Sequence, residues 1–226
     1  MCGRFSQSQP AAAIAQAFQV DVPPLTPRYN IAPTQSVATV LQTPDRKDRQ
    51  FRMLHWGLIP SWAKDKKIGS RLINARAETV AEKPAFRSAF RKRRCLVLAD
   101  GFYEWQQQEN NKQKQPFYFC YQDGRPFAFA GLWEHWEDAN GEEIKSCTLV
   151  TTEANELMRP IHNRMPVILD PKDYDLWLDL EMKNPELLQP LFHVYPTEEM
   201  MVYPVSKVVN KPSNDSIDCI EKIETS

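Results

Sequence analysis

Between residues 95 and 152 the chain passes through five short apolar stretches, at 95–99, 102–106, 117–121, 126–132 and 147–152. Stretches this brief, rich in aromatic and β-branched residues and divided by turn formers, suit strands and are too short for buried helices. Asn140-Gly141 stands between the last two and is a strong hairpin signal. Two more strand-like stretches, 36–41 and 51–56, flank a charged turn at 44–49. Residues 71–75 read as a short extended piece, and a late strand falls near 201–205. Ser8-Gln9-Pro10 ahead of residues 11–18 predicts a capped helix with proline in its first turn. Residues 84–92 place Ala85, Phe86, Ala89 and Phe90 on one helical face. Helical patterns return at 153–158, 171–180 and 185–191. The 18 prolines are scattered as turn punctuation, and no repeat or Gly/Ser linker divides the chain. These features predict one α+β domain over 1–209, a mainly antiparallel, barrel-like β-sheet with peripheral helices. Residues 210–226 read as a loose polar tail.

A chain of 226 residues is long enough for one sizeable core and short for two. No apolar run approaches the ~20 residues of a membrane span. The first apolar stretch, 11–20, follows a polar start and contains Gln16, which does not fit a signal peptide. The five cysteines are odd in number, widely spaced and form no Cys-x-x-Cys pair, which points to a reducing, cytoplasmic setting and away from a zinc site. Cys95, Cys120 and Cys147 lie in strand-like runs and read as inert core thiols. No phosphate loop or dinucleotide fingerprint is present, so neither a cofactor nor a metal is expected.

The net charge of −1 hides an asymmetry: residues 1–131 carry 20 basic and 10 acidic side chains, residues 132–226 carry 8 and 19. The basic excess peaks at 64–94, with 11 basic against 3 acidic residues. Such a patch attracts polyanions, or is a solvated face compensated by the acidic half.

The chain opens Met1-Cys2-Gly3-Arg4. A small second residue permits removal of Met1, which leaves a cysteine with a free α-amine beside a free thiol. The two groups can act on one aldehyde, the amine forming a Schiff base and the thiolate closing a five-membered thiazolidine. Reference values of about 7.7–8.0 for the amine and about 8.5 for the thiol leave both usable near neutrality. The alternative is a cysteine on a frayed terminus. Four further segments interrupt apolar context with reactive residues: Arg28-Tyr29-Asn30-Ile31-Ala32-Pro33-Thr34, Ile73-Asn74-Ala75-Arg76-Ala77-Glu78, Ala99-Asp100-Gly101-Phe102-Tyr103-Glu104-Trp105 and Pro160-Ile161-His162-Asn163-Arg164-Met165-Pro166. Asn74 and Arg76 are two apart and point the same way on a strand, as do His162 and Arg164. A partly buried Glu104 between two aromatics would have its pKa raised toward the range of a proton shuttle. Ordinary readings also stand: Glu104 on a solvent-facing strand, His162 structural, Asn30 and Asn74 capping turns.

Taken together with Trp56-Gly57-Leu58-Ile59-Pro60-Ser61-Trp62-Ala63, Ala130-Gly131-Leu132-Trp133 and Tyr203-Pro204-Val205-Ser206, these blocks in this order resemble the SOS-response-associated peptidase (SRAP) family of abasic-site processing proteins. The resemblance covers more than nine tenths of the chain. It implies the SRAP fold and, as substrate, abasic sites in single-stranded DNA, whose ring-opened sugar offers the aldehyde. It implies a covalent thiazolidine crosslink through mature Cys2 that shields the lesion, and autocatalytic removal of residues preceding Cys2. In that scheme Asn74 holds the amine and sugar in register, Glu104 shuttles protons and His162 protonates the sugar ring oxygen. Arg4, Arg76 and Arg164 bind flanking phosphates, with Thr151 adding a hydroxyl. Pro33 and Trp62 form a wedge and stacking surface against neighbouring bases. The segment 64–94 becomes a groove that tracks the DNA backbone. A monomer is the default expectation, nucleoid-associated when bound to DNA, with replication or repair proteins as further partners. Two rivals differ in kind. A glutamine amidohydrolase with an N-terminal nucleophile would release ammonia from glutamine, and a non-catalytic single-strand-binding module would retain DNA without Cys2.

Overall fold

The computed structural model describes residues 2–108, 111–182 and 184–224; Met1, whose removal the sequence reading expects, lies outside them. Strand β1 (Phe5–Gln7) leads into helix α1 (Ala11–Phe18), followed by β2 (Arg28–Ile31), β3 (Ser36–Thr43), β4 (Arg46–Trp56), β5 (Asn74–Arg76) and helix α2 (Arg87–Lys92). The five stretches between 95 and 152 become β6 (Arg94–Ala99), β7 (Gly101–Gln108), β8 (Asn111–Tyr121), β9 (Phe127–Glu137) and β10 (Glu143–Glu153). Then come β11 (Arg164–Pro166), β12 (Ile168–Leu169), α3 (Tyr174–Leu178), α4 (Pro185–Leu188) and β13 (Met200–Pro204). No helix among the described residues is long and apolar enough to cross a membrane.

The barrel-like expectation is met by a closed ring. Strand β4 pairs with β3, β3 with β6, β6 with β9 and β9 with β10, all antiparallel. The ring closes where β10 meets β4 in parallel, at Ser146↔His55 and Cys147↔Trp56. Beyond that point β5 takes over beside β10, and β11 flanks β10 on the other side. A second sheet, in the order β13-β8-β7-β1-β2, packs against the barrel strands.

Alternation along the strands divides the core. On one side Ala38, Val40, Leu96, Leu98, Ala128 and Ala130 meet Ile14 and Phe18 of α1, Phe90 of α2 and Trp177 of α3. On the other, Val37, Leu54, Trp56, Val97 and Phe129 meet Phe5, Phe102 and Phe119 of the five-stranded sheet. Phe102 stacks on Phe119 at 5.0 Å between centroids, and Phe5 lies 5.0 Å from Trp56. The outer face of that sheet presents Tyr103, Tyr118 and Cys120 to Val205, Val209 and Cys219.

That outer contact corrects the loose tail. The segment from Asn210 folds back over the sheet. Asp215 accepts from the backbone N–H groups of Tyr29 and Asn30 and pairs with Arg28, and Val205 bridges to Lys222. Its apolar anchors are single residues separated by polar ones, so no periodicity advertised them. Two local expectations also change. Ser8 does not cap α1: its N–H and hydroxyl, with the Gln9 N–H, bind the buried Asp100 carboxylate, and Pro10 occupies the cap position. Residues 153–158 do not form a helix. The β10 strand runs to Glu153 and turns follow, with Asn155 Oδ1 accepting from the Met158 N–H. The Asn140-Gly141 turn joins β9 to β10 with Gly141 at φ 84°, a conformation glycine adopts without a Cβ clash.

Candidate functional site

Cys2 sits just ahead of β1 and is fully buried. The pairing Phe5↔Phe102 and the bond from Tyr103 N to Arg4 O (3.0 Å) run the first residues antiparallel to β7, toward Glu104. Asn74 opens β5, whose register is set by Leu149↔Asn74 on β10. Its Nδ2 donates to the Cys2 carbonyl at 2.8 Å, so the barrel reaches across to the start of the other sheet. Ala75 turns into the core while Asn74 and Arg76 point the opposite way, as their spacing requires. Asn74 Oδ1 is buried and has no hydrogen-bond partner among the described residues.

Glu104 lies on the face of β7 that carries Phe102, opposite Phe117, and is 5% exposed. Burial pushes its carboxyl up to about 7, with the Trp105 N–H opposing part of that rise. Burial also holds the Cys2 thiol well above its ordinary value, and the Glu104 charge adds to this. The thiol is therefore protonated near neutrality and needs a base to react. His162 lies in the turns before β11. Its Nδ1 accepts from the Arg164 N–H at 3.0 Å, which leaves the proton of the neutral ring on Nε2. Burial lowers its pKa, so the neutral ring prevails at pH 7. Gln106 Nε2 donates to Pro160 O at 3.2 Å and ties the Glu104 strand to the His162 turn. The Lys114 ammonium acts on both Glu104 and His162. Lys114 sits in a polar run that nothing in the sequence singles out.

Three cavities have basic linings. One of about 600 Å³ is lined by Arg76, Glu153, Arg159, His162, Asn163 and Arg164. The exposed Arg76 and Arg159 leave it open to an anion, while Arg164 is engaged by both oxygens of Glu78 and donates to Thr151 O at 2.6 Å. The Thr151 hydroxyl is fully buried and meets Arg164 (3.4 Å) and Ala75 O (3.5 Å). A second cavity, about 410 Å³, holds Trp62 with Lys64, Lys67 and Arg71. Trp62 is 59% exposed, a large aromatic surface open for stacking. The third, about 620 Å³, is lined by Arg4, Trp105, Lys114, Lys207 and Asn210. Pro33 is half-buried in the turn after β2, next to Thr34 at φ 72°.

The C-terminal end of the basic segment is no groove. Arg94 is buried and donates to the carbonyls of Trp177 (2.6 Å), Phe90 (2.8 Å) and Asp179, tying α3 to α2. Arg93 pairs with the buried Glu134 of the acidic half. Among the described residues no group of three or more His, Cys, Asp or Glu could hold a metal ion.

Comparison with known proteins matches residues 1–212 to the family described as SOS response associated peptidase (SRAP). The chain belongs to the SRAP family. Within SRAP it is similar to the abasic site processing protein YoqW of Bacillus subtilis, 43% identical over 98% of this chain and 99% of that one. It is 30% identical to the abasic site processing protein HMCES of Rattus norvegicus, over 97% of this chain and 75% of the rat protein. A crystal structure of a Bacteroides thetaiotaomicron protein shares the SRAP fold with a TM-score of 0.85 at 28% identity, covering 99% of this chain and all of that one.

Glu78 lies inside a motif that the sequence displays, yet its hold on Arg164 depends on a partner 86 residues away. Nothing in the sequence singles out Arg159, and Asn30 reads there only as a turn cap within the segment 28–34.

Proposed function

We propose that this SRAP protein processes abasic sites in single-stranded DNA by trapping the ring-opened sugar on mature Cys2. The observation that carries the reading is the juxtaposition of a fully buried Cys2, held through its carbonyl by Asn74, with a buried carboxyl whose pKa is about 7. In the proposed sequence the charged form of His162 donates its Nε2 proton to the sugar ring oxygen as the bond from C1 to that oxygen breaks, and the C1 hydroxyl gives its proton to water, so the aldehyde forms and the ring returns to its neutral state. The Cys2 amine adds to C1, and Glu104 in its acid form protonates the departing hydroxyl, so water leaves and an iminium remains. Glu104, now a carboxylate, takes the thiol proton while sulfur bonds to C1 and closes the thiazolidine. One water is lost overall, and the iminium that would promote strand cleavage is consumed. The unpartnered Asn74 Oδ1 is an acceptor suited to the reacting amine. A group that serves as acid and then base works best with a pKa near the working pH.

The same centre would hydrolyse the peptide bond ahead of Cys2. Water adds to the carbonyl of the preceding residue, and the freed amine of Cys2 leaves with the proton that Glu104 supplies. The cavities with Arg76 and Arg164, with Trp62, and with Arg4 would hold the strand on either side of the lesion.

A denaturing gel tests the reading. Mature protein mixed with a single strand bearing one abasic site should yield a band that survives boiling. The band must be absent with undamaged DNA and with Cys2→Ala. No such band from protein shown by mass to begin at Cys2 would overturn the mechanism. Ammonia released from glutamine in a Cys2-dependent manner would favour the amidohydrolase instead.

A further inference from the structure

We propose that the C-terminal segment is part of the nucleic-acid site: with Asn30 and Asp215 as positioning residues, it fixes Arg4 at a phosphate subsite. This rests on the DNA reading above and extends it to residues 213–224, which lie beyond the part of the chain matched to the family. Asn30 is fully buried, and its side chain is spent in two directions. Oδ1 accepts from Arg4 Nη1 at 2.6 Å, while Nδ2 donates to the carbonyls of Val209 (3.1 Å), Lys211 (3.1 Å) and Asn214 (2.6 Å). Val209 O itself accepts from Arg4 Nη1 at 2.7 Å. Asp215 fastens the other side of Asn30 through the backbone N–H groups of Tyr29 and Asn30. The platform under the guanidinium is also held by this segment. Arg4 Cζ lies 5.6 Å from the Trp105 ring centroid, and Trp105 Nε1 donates to Asn210 Oδ1 at 2.7 Å.

Arg28, Arg93 and Arg164 are paired with the carboxylates of Asp215, Glu134 and Glu78, and Arg94, held by carbonyls alone, is buried in the core; Arg4 has no carboxylate partner among the described residues and lines a cavity. The side-chain acceptors of Arg4 are an amide and a backbone carbonyl, both neutral, so its charge is oriented without being neutralised. It lines the 620 Å³ cavity with Lys114 and Lys207, and no carboxylate among the described residues shares that lining. Three cations beside an aromatic ring suit the phosphate and base of one nucleotide.

The test measures equilibrium binding of an undamaged single-stranded oligonucleotide across a salt series, beside crosslinking of an abasic strand. Arg4→Ala should lower affinity about tenfold, the scale of a charge-assisted hydrogen bond. It should also flatten the slope of log affinity against log salt by about 0.7, the contribution of one phosphate on a single strand. Asn30→Ala and Asp215→Ala should do the same, and Arg4→Ala/Asn30→Ala should be no worse than Arg4→Ala alone. The proposal is overturned if either single variant binds as tightly as wild type. It is also overturned if affinity falls with the slope unchanged, the mark of mere loosening, or if the double loss is additive. Should Asn30→Ala fail to fold, Asp215→Ala, at a partly exposed side chain, carries the test. Wild-type protein that binds the oligonucleotide but never crosslinks would sink the abasic-site chemistry while the binding series still judges the clamp.

Discussion

The two faces of the five-stranded sheet are built from alternate residues of the same strands and are satisfied to different degrees. On the outer face, Tyr103 OH donates to Tyr29 O, and Tyr118 OH lies 2.7 Å from Ser6 Oγ, under a cover of Val205, Val209 and Cys219. The inner face carries Phe102 and Glu104 beside Cys2, and there a carboxyl is buried at a pKa of about 7 and Asn74 Oδ1 has no partner among the described residues. Around Tyr103 and Tyr118 the outer face spends its polar groups on holding the fold together. The inner face leaves Asn74 Oδ1 without a partner among the described residues, which costs stability and, on the proposed reading, keeps it available to a substrate.

The sharpest way to break this contrast is to remove one member from each face. Cys2→Ala should abolish the boil-resistant DNA band while leaving the thermal transition within a few degrees of wild type; a surviving band would move the chemistry elsewhere. Tyr118→Ala should do the reverse, lowering stability by about 3–5 kcal/mol through loss of a buried aromatic, read by denaturant unfolding. A well-folded Tyr118→Ala protein would show that the outer face does not anchor the sheet.

Glu104→Gln sharpens the comparison by testing the inner face on stability and chemistry at once. The folded pKa of about 7 lies above the ordinary 4.5, so the folded carboxyl holds its proton while the unfolded one has already released it. Stability from this group is complete below about pH 4.5 and declines as pH rises through 7. The variant should therefore gain up to about 3 kcal/mol over wild type at pH 8 and almost nothing at pH 4. Crosslinking by wild type should be fastest near pH 7, and the variant should be slower with a flatter profile. An equal Tm difference at both pH values would mean that Glu104 is not buried as an acid.

The smallest effect concerns Glu78, which pairs with Arg164 and on the proposed reading would compete with phosphate for it. Glu78→Gln should tighten binding of undamaged single strands by a few-fold, within the modest range of such ion pairs. Weaker binding would recast Glu78 as the residue that aims Arg164.

Much of the site was legible because its residues are reactive types in apolar surroundings: Cys2 behind a removable methionine, Glu104 between aromatics, His162 and Arg164 at strand spacing. Strand positions were legible from alternation and turn chemistry, and the five stretches between 95 and 152 all became strands. Arg94 was misread with its basic neighbours because charge along a sequence does not reveal which cation is wrapped in helix carbonyls. Residues 210–224 were misread because their anchors are solitary: Asp215 works through backbone groups and Cys219 as one buried side chain. Lys114 gave no sign, since its effect on Glu104 and His162 is one of distance alone.

The sequence by itself determined the local choices: where strands and turns fall, that the fold mixes helices with a mainly antiparallel sheet, and which residue types could meet an aldehyde or a phosphate. These follow from side-chain periodicity, backbone preference and functional-group chemistry, all of which act over a few residues. Only the tertiary structure decided that β10 closes the barrel on β4, that Asn74 reaches Cys2 across 72 positions, that burial raises Glu104, and that the C-terminal segment braces the Asn30 that holds Arg4. Those outcomes depend on long-range pairing and on the exclusion of water, which arise only when distant parts of the chain share one core.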